Sequence, residues 1–145
     1  MKKKYFVQII ITIGLLTVTS AFGASNNFFA KGKNLFDKNE LEKSKIFFER
    51  DIVFNPKSEK SYLYLAKIFN KKEEDEEQEK NLNNVLLLNP KNDEAIYMLT
   101  ILKIKQSNYE EAKELIKKFT LVCNDFCSKQ KEINSKLKKI TPENE

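Results

Sequence analysis

Apolar side chains recur every three or four residues along most of this 145-residue chain, in runs that short polar turns separate. Two runs end in nearly the same five-residue motif. The first copy is Phe54-Asn55-Pro56-Lys57-Ser58, and the second is Leu88-Asn89-Pro90-Lys91-Asn92. Proline has no N–H and disfavours the helical conformation of the residue before it, so each Asn-Pro predicts the end of a helix. The Ser or Asn two residues after each proline is a favourable N-cap. The pattern therefore predicts a repeated unit of helices. The length of this unit equals the separation between Pro56 and Pro90 in the sequence.

The first runs predict a helix pair followed by the first helix of a second pair. We place the first pair at about Asn27–Phe36 and Glu40–Val53, and expect the next helix to begin after Ser58 and end at Lys72. The acidic run Glu73–Glu77 then fits the first turn of a fourth helix, because carboxylates stabilise the positive end of the helix dipole. The alternative interpretation of this run is a metal site or a contact for a basic partner.

A third helix pair and one further helix are predicted after the second Asn-Pro motif, at Asn89-Pro90. Asn92 and Asn108 are the expected N-caps of the third pair. The last helix is placed at about 128–140, where apolar residues share one side and polar residues the other. The apolar side carries Ile133, Leu137 and Ile140.

The N-terminal segment has the pattern of an export leader. Lys2–Lys4 are followed by the mostly apolar stretch Tyr5–Val18, and Ala21-Phe22-Gly23 offers small residues to a signal peptidase. We predict a signal peptide at residues 1–23, with cleavage between Gly23 and Ala24. The alternative is an uncleaved membrane anchor, since the stretch is just long enough to span a bilayer. Either outcome predicts an exported domain, in the periplasm of a bacterium.

Two cysteines flank the turn into the last helix. The spacing from Pro56 to Pro90, applied once more, leads to Asn124, so this turn lacks proline and carries Cys123 and Cys127 instead. In an exported domain two cysteines most simply pair, and closing so short a loop contributes about 2 kcal/mol in the chain-entropy model. The sharper alternative is a redox-active thiol pair, although three intervening residues differ from the thioredoxin spacing. A zinc site is less favoured, because the chain has no histidine.

Composition and charge argue against nucleic-acid binding and catalysis. The formal net charge is +5, and without the three leader lysines 23 basic and 21 acidic residues remain. This balance does not indicate a nucleic-acid partner. The absence of histidine excludes an imidazole base and the Ser-His-Asp triad, and no glycine-rich phosphate loop is present. We therefore expect no enzyme, no metal and no cofactor.

The repeated unit resembles the tetratricopeptide repeat over about Ser25 to Phe119. The matching residues are Phe28, Gly32, Leu35, Leu41, Ser44, Phe48 and Pro56 in the first copy, Tyr62, Leu65, Ala66, Phe69, Leu82, Val85 and Pro90 in the second, and Ile96, Leu99, Tyr109, Ala112, Ile116 and Phe119 in the third. Four positions depart from the family's preference for alanine, alanine, glycine and an aromatic residue: Asp51, Gln78, Thr100 and Lys103.

The resemblance implies an all-α fold, a right-handed α-solenoid of about three helix pairs with a C-terminal capping helix. The expected repeats are about 25–58, 59–92 and 93–122, the capping helix is about 128–140, and 141–145 form a tail. Such a solenoid presents a concave groove built from the first helix of each pair. The resemblance places in that groove Phe29, Lys33 and Phe36 from the first copy, Leu63, Lys67, Asn70 and Lys71 from the second, and Tyr97, Ile101, Ile104 and Lys105 from the third.

The function expected from this resemblance is non-catalytic protein binding in the bacterial envelope. An apolar floor with a ridge of lysines suits a peptide with hydrophobic anchors and some acidic character. The alternative use of the groove aromatics is packing against neighbouring helices or the N-terminal segment. A thiol-redox or envelope assembly factor acting through Cys123 and Cys127, a purely structural spacer and a homo-oligomer also stay open. Membrane contact is expected only through an uncleaved leader.

Overall fold

The protein is built of α-helices arranged as successive antiparallel pairs, in a computed structural model that describes residues 27–140. The helices are α1 (Phe28–Asp37), α2 (Leu41–Phe54), α3 (Glu59–Lys72), α4 (Asp75–Leu88), α5 (Asp93–Lys105), α6 (Tyr109–Val122) and α7 (Gln130–Ile140), with a 3-10 turn at Cys127–Lys129 before α7. No strand occurs within residues 27–140. The predicted leader, its cleavage site and the tail lie outside the described residues. The predicted all-α solenoid with a capping helix is confirmed.

Asparagine caps three of the helices, and the sequence predicts two of these caps, Asn92 and Asn108. The side-chain oxygens of Asn27, Asn92 and Asn108 each accept a hydrogen bond from the backbone N–H three residues on, at 3.1, 2.8 and 3.3 Å. Ser58 occupies the N-cap position of α3, as predicted, but its side chain makes no capping hydrogen bond. Its hydroxyl donates instead to the buried carboxylate of Asp51 on α2. The Asp51 carboxylate thus competes with the N-terminal N–H groups of α3 for the Ser58 side chain. The position of Ser58 in the sequence does not reveal this acceptor.

The turns inside the three pairs share a left-handed residue. Asn39, Glu73 and Ser107 have φ angles of 60°, 60° and 61° and occupy the same place in successive units. This conformation ends the first helix of each pair and lets the chain reverse direction. None of the three is glycine, which adopts such φ values without steric cost. Glu73 therefore closes α3 and does not belong to the first turn of α4, whose acidic residues begin at Asp75.

The apolar core forms two clusters that meet at α3. Leu65, Ile68 and Phe69 of α3 pack with Phe48 of α2 in the first core cluster. Leu63 and Ala66, on the opposite side of α3, belong to the second core cluster, which extends through α4, α5 and α6 to Ile133 of α7. Helix α3 therefore contributes to both clusters and joins the first pair to the second, while the second core cluster joins the second pair to the third, as a solenoid requires.

All four polar departures from the repeat pattern are buried, and three of them, Asp51, Thr100 and Lys103, make side-chain hydrogen bonds or ion pairs. Asp51 accepts hydrogen bonds from the hydroxyls of Ser58 and Ser61, which join α2 to α3. Thr100 donates to the Ile96 carbonyl at 2.8 Å within α5. Lys103 of α5 lies between carboxylates of α4 and α6. A buried polar group is tolerated when its hydrogen bonds are made. Asp51 and Lys103 thereby connect neighbouring helices, whereas Thr100 bonds within its own helix.

Candidate functional site

The first helices of the pairs, α1, α3 and α5, carry the predicted groove residues. At the N-terminal end, Phe29 and Phe36 of α1 are half-buried, and their ring centroids lie 5.6 and 5.1 Å from that of Tyr64 on α3. Tyr64 also stacks on Phe48 of α2 at 5.0 Å. The two phenylalanines thus pack against neighbouring helices and keep part of each ring accessible. Sequence reasoning missed Tyr64, because the repeat pattern assigns no groove role to its position.

The predicted lysine ridge has partners within the chain. The Nζ atom of Lys67 lies 2.8 Å from Glu94 of α5 and 4.9 Å from the ring centroid of Tyr64. Lys33 pairs with Asp37 at 2.7 Å, and this hydrogen bond raises the pKa of Lys33. A ligand carboxylate that binds at Lys67 must therefore replace Glu94, whereas Lys33 makes only an exposed pair within one helix, which is weak.

Further along the ridge, Lys71 and Lys105 connect units to one another. Nζ of Lys71 lies 5.0 Å from the ring centroid of Phe36 and 3.2 Å from the Asn39 side-chain oxygen. Nζ of Lys105 lies 2.6 Å from Asp75 at the start of α4. Both lysines are exposed, so their charges remain accessible at the surface.

Of the remaining predicted residues, Leu63 and Asn70 differ in exposure, and Tyr97 is covered by the capping helix. Leu63 is 8% exposed within the second core cluster, whereas Asn70 is exposed. The Tyr97 hydroxyl donates to Glu132 of α7 at 3.0 Å. Burial and the Glu132 carboxylate raise the pKa of Tyr97. The ring lies 5.9 Å from that of Phe126. Tyr97 thus holds α7 against the layer formed by α1, α3 and α5, here called the inner layer.

A cavity of about 390 Å³ opens where α7 meets α5. Its apolar lining comes from Ile101 and Ile104, and lysines from both helices surround it: Lys105, Lys136 and Lys139. Lys139 has no ion-pair partner within residues 27–140, and Nζ of Lys136 lies 3.8 Å from the nearest carboxylate oxygen, that of Glu132. The sequence predicted Ile101, Ile104 and Lys105 for the groove but missed the two lysines of α7. Their helical spacing of three was a usable signal, because it places both on one face.

The turn between α6 and α7 is fixed by Asp93 at the start of α5. Its carboxylate accepts hydrogen bonds from the backbone N–H groups of Asn124 and Phe126, at 2.7 and 2.9 Å. Burial opposes the charge of Asp93, but these backbone hydrogen bonds outweigh it and lower the pKa of the carboxyl. Asn124 stands where the earlier turns have proline, and a proline could not donate this bond.

The Sγ atoms of Cys123 and Cys127 in that turn lie 2.13 Å apart, with the Cα atoms at 5.1 Å, so the backbone brings the two side chains to bonding distance. The disulfide itself stays a prediction. Within residues 27–140 no cluster of three or more His, Cys, Asp or Glu side chains could hold a metal ion. No helix of that part of the chain is long and apolar enough to cross a bilayer.

Comparison with solved structures finds tetratricopeptide-repeat domains. The "TPR2B-domain:pHsp70-complex of yeast Sti1" has a TM-score of 0.72 at 16% identity, covering 80% of this chain and 97% of that one. The type III secretion translocator chaperone SycD of Yersinia enterocolitica has a TM-score of 0.71 at 14% identity, covering 89% and 90%. The second TPR domain of human RPAP3, in complex with an HSP70 peptide, has a TM-score of 0.65 at 20% identity, covering 78% and 91%.

These similarities identify the fold of this chain as the tetratricopeptide-repeat solenoid. No protein-family model matches the sequence, and no curated protein matches it either. At such low identities the likeness extends to the backbone and not to particular binding residues.

Proposed function

We propose that this protein is a non-catalytic interaction module that binds a protein partner through the inner face of its solenoid. The similar domains of yeast Sti1 and human RPAP3 form complexes with pHsp70 and an HSP70 peptide, and SycD is a chaperone, which supports a protein-binding role. The proposed partner segment is a peptide with an aliphatic anchor and acidic neighbours. The proposed setting is the bacterial envelope, reached through the predicted leader.

The observation that carries this proposal is the cavity between α5 and α7. Ile101 and Ile104 offer an apolar floor, while Lys105, Lys136 and Lys139 surround it with positive charge. An aliphatic side chain seated here leaves water, and carboxylates beside it would meet Lys136, which is only weakly paired, and Lys139, which has no ion-pair partner within residues 27–140. A carboxylate at Lys105 would compete with Asp75.

The aromatic patch of Phe29 and Phe36 is the proposed second contact. It lies at the other end of the inner layer, beside the exposed cations Lys33 and Lys71. An extended peptide that spans α1, α3 and α5 would reach both places. Lys67 pairs with Glu94 and lies over the ring of Tyr64. We therefore propose that it holds α3 and α5 together and does not bind the ligand.

A direct test uses fluorescein-labelled peptides that combine leucine anchors with glutamates, and measures fluorescence anisotropy against the purified domain. We expect binding that the double variant Lys105→Glu and Lys139→Glu weakens at least ~tenfold, because two attractive contacts become repulsive. The matched control is Lys131→Glu with Lys138→Glu, two exposed lysines of α7 that do not line the cavity.

The control changes the net charge by the same amount. If only general electrostatic attraction holds the peptide, the affinity of both double variants should fall equally. That result would contradict a specific site, as would equal affinity for peptides in which lysines replace the glutamates. Circular dichroism of each variant establishes that the helices are intact.

The alternative function is a thiol-redox or assembly role for Cys123 and Cys127. Cys127 is exposed and opens the 3-10 turn before α7. Asp93, which binds the same turn, adds negative charge that disfavours a reactive thiolate. We therefore propose a structural staple. A pair that is reduced and reoxidised by a thiol partner during its function would favour the alternative.

A further inference from the structure

Exposed apolar residues form a row along the edge of the solenoid at which the second helix of each pair ends. Val53, Leu87 and Leu121 are 74%, 80% and 85% exposed. They are evenly spaced at the repeat length, so they occupy equivalent places in successive units. Phe54 and Leu88 extend the row, at 67% and 37% exposure. We call these five residues the edge row.

Unpaired lysines accompany the edge row. Lys57 and Lys91 lie in the turns that follow Phe54 and Leu88, and Lys60 lies in the first turn of α3. All three are exposed, and none has a carboxylate within ion-pair distance in the described part of the chain. In contrast, Lys33, Lys67 and Lys105 of the inner layer each pair with an acidic residue.

The carboxylates at this edge are occupied by the turns themselves. Glu59 accepts hydrogen bonds from the side-chain amides of Asn89 and Asn92. Asp93, its equivalent one unit later, accepts from two backbone N–H groups of the turn after α6. Asp125 is an exposed carboxylate at the third turn. The outward charge of the first two turns is therefore positive, next to side chains that avoid water.

We propose that the edge row docks on an anionic lipid bilayer. The aliphatic tips would enter the boundary between headgroups and acyl chains, and the lysines would meet lipid phosphates. A bilayer accepts separate protruding side chains without complementary pockets. A protein partner would require pockets for them, and no edge-row residue lines the cavity between α5 and α7.

The point at which the chain enters the domain supports this orientation. Phe28, the first residue of α1, stacks on Phe54 of the edge row with ring centroids 5.4 Å apart. The predicted leader ends at Gly23, and four residue steps to Asn27 span at most about 14 Å. A leader retained in the bilayer would thus hold the edge row near the surface. A cleaved leader would leave the row as a reversible contact.

The test is co-sedimentation of residues 24–145, the predicted mature chain, with vesicles of phosphatidylglycerol and phosphatidylcholine in equal parts. The triple variant Val53→Asn, Leu87→Asn and Leu121→Asn should weaken the vesicle partition coefficient at least ~tenfold, since it removes three apolar contacts. The matched control is Ile46→Asn, which replaces an exposed apolar residue of α2 outside the edge row.

A second arm tests the charge. Lys57→Gln with Lys91→Gln should weaken binding by ~tenfold or more, because it removes two cations that would lie near the anionic lipid surface. Lys131→Gln with Lys138→Gln on α7 should not. Vesicles of phosphatidylcholine alone should bind weakly.

Three outcomes would overturn the proposal. One is no binding to the anionic vesicles by the folded chain, and another is binding that the triple variant retains. The third is a wild-type dimer in analytical ultracentrifugation that does not bind vesicles, together with a triple variant that is a monomer. The edge row would then be an interface between copies of this chain. Peptide binding at the inner face is measured separately, so failure here leaves the proposed function untouched.

Discussion

Lys103 is a buried cation that connects three helices, and its removal should strongly destabilise the fold. The residue is 6% exposed. Its Nζ atom lies 2.6 Å from Glu79 of α4 and 3.0 Å from Glu111 of α6. Lys103→Met keeps most of the side-chain volume but removes the charge. The two carboxylates would then face each other without a cation between them.

The magnitude follows from the burial of the three partners. Removing one partner of a fully buried ion pair costs about 3–5 kcal/mol. Here the side chains of Glu79 and Glu111 are 28% and 44% exposed, so water can partly replace the lost cation. We therefore expect Lys103→Met to lower the free energy of unfolding by about 2 kcal/mol. Adding Glu111→Gln should recover part of this loss, because it relieves the repulsion.

The pH dependence gives a second signature of the same interaction. Hydrogen bonding from Lys103, more than any other factor, lowers the pKa of Glu79 below 4.5. Burial disfavours the charge of Lys103, but hydrogen bonds to Glu79 and Glu111 outweigh it and raise its pKa above 10.5. The contribution of Glu79 is therefore complete above about pH 4.5 and is lost as the pH falls through its folded pKa. That of Lys103 is complete below about pH 10.5 and is lost as the pH rises further.

The assay is urea unfolding followed by circular dichroism at a series of pH values. The difference between wild type and Lys103→Met should be constant from about pH 5 to 9 and should shrink below about pH 4. The control is Lys113→Met, which breaks an exposed pair with Glu110 within α6 and should cost far less than Lys103→Met. Equal costs for the two variants, or a difference that persists unchanged at low pH, would show that the ion pairs of Lys103 do not stabilise the fold.

Three further predictions concern the turns. Glu73→Gly should raise the free energy of unfolding by about 0.5–1 kcal/mol, because glycine adopts the left-handed conformation freely, whereas Glu76→Gly within α4 should lower it; a loss at both sites in thermal unfolding would contradict this. Asn124→Pro removes the N–H that donates a hydrogen bond to Asp93, so we expect the free energy of unfolding to fall by about 1–2 kcal/mol and hydrogen exchange in α7 to become faster. Unchanged exchange would show that this hydrogen bond is unimportant. Replacing both cysteines by serine should cost about 2 kcal/mol, and reduction of the wild-type chain should raise its mass by two hydrogens; an unchanged mass would mean that no disulfide forms.

Local signals made the order and ends of the helices predictable. Asn-Pro at Pro56 and Pro90 ends two helices, and Asn92 and Asn108 cap the helices of the third pair, because each effect depends on backbone groups only a few residues away. The regular spacing of these signals supports the resemblance to the tetratricopeptide repeat, and that resemblance implied the solenoid fold, in which each unit buries its apolar face against a neighbour.

Features that depend on contacts between distant residues could not be predicted. Ser58 is not a side-chain cap, because Asp51 of the preceding helix takes its hydroxyl. The sequence places Lys136 and Lys139 on the capping helix but does not reveal that this helix closes a cavity against α5. Nor does it reveal that Lys67 is already paired with a carboxylate of α5. Each depends on which helix packs opposite, and the residue pattern of one helix does not contain that information.

Site-specific photo-cross-linking in intact cells tests most directly whether the inner face binds a protein. A photoreactive phenylalanine analogue would replace Lys105 beside the cavity or, in a matched experiment, Lys113 on α6, both of which are exposed. We expect a discrete protein adduct from position 105 that excess leucine-glutamate peptide suppresses, and none from position 113. No adduct from position 105, or the same adducts from both positions, would contradict this expectation.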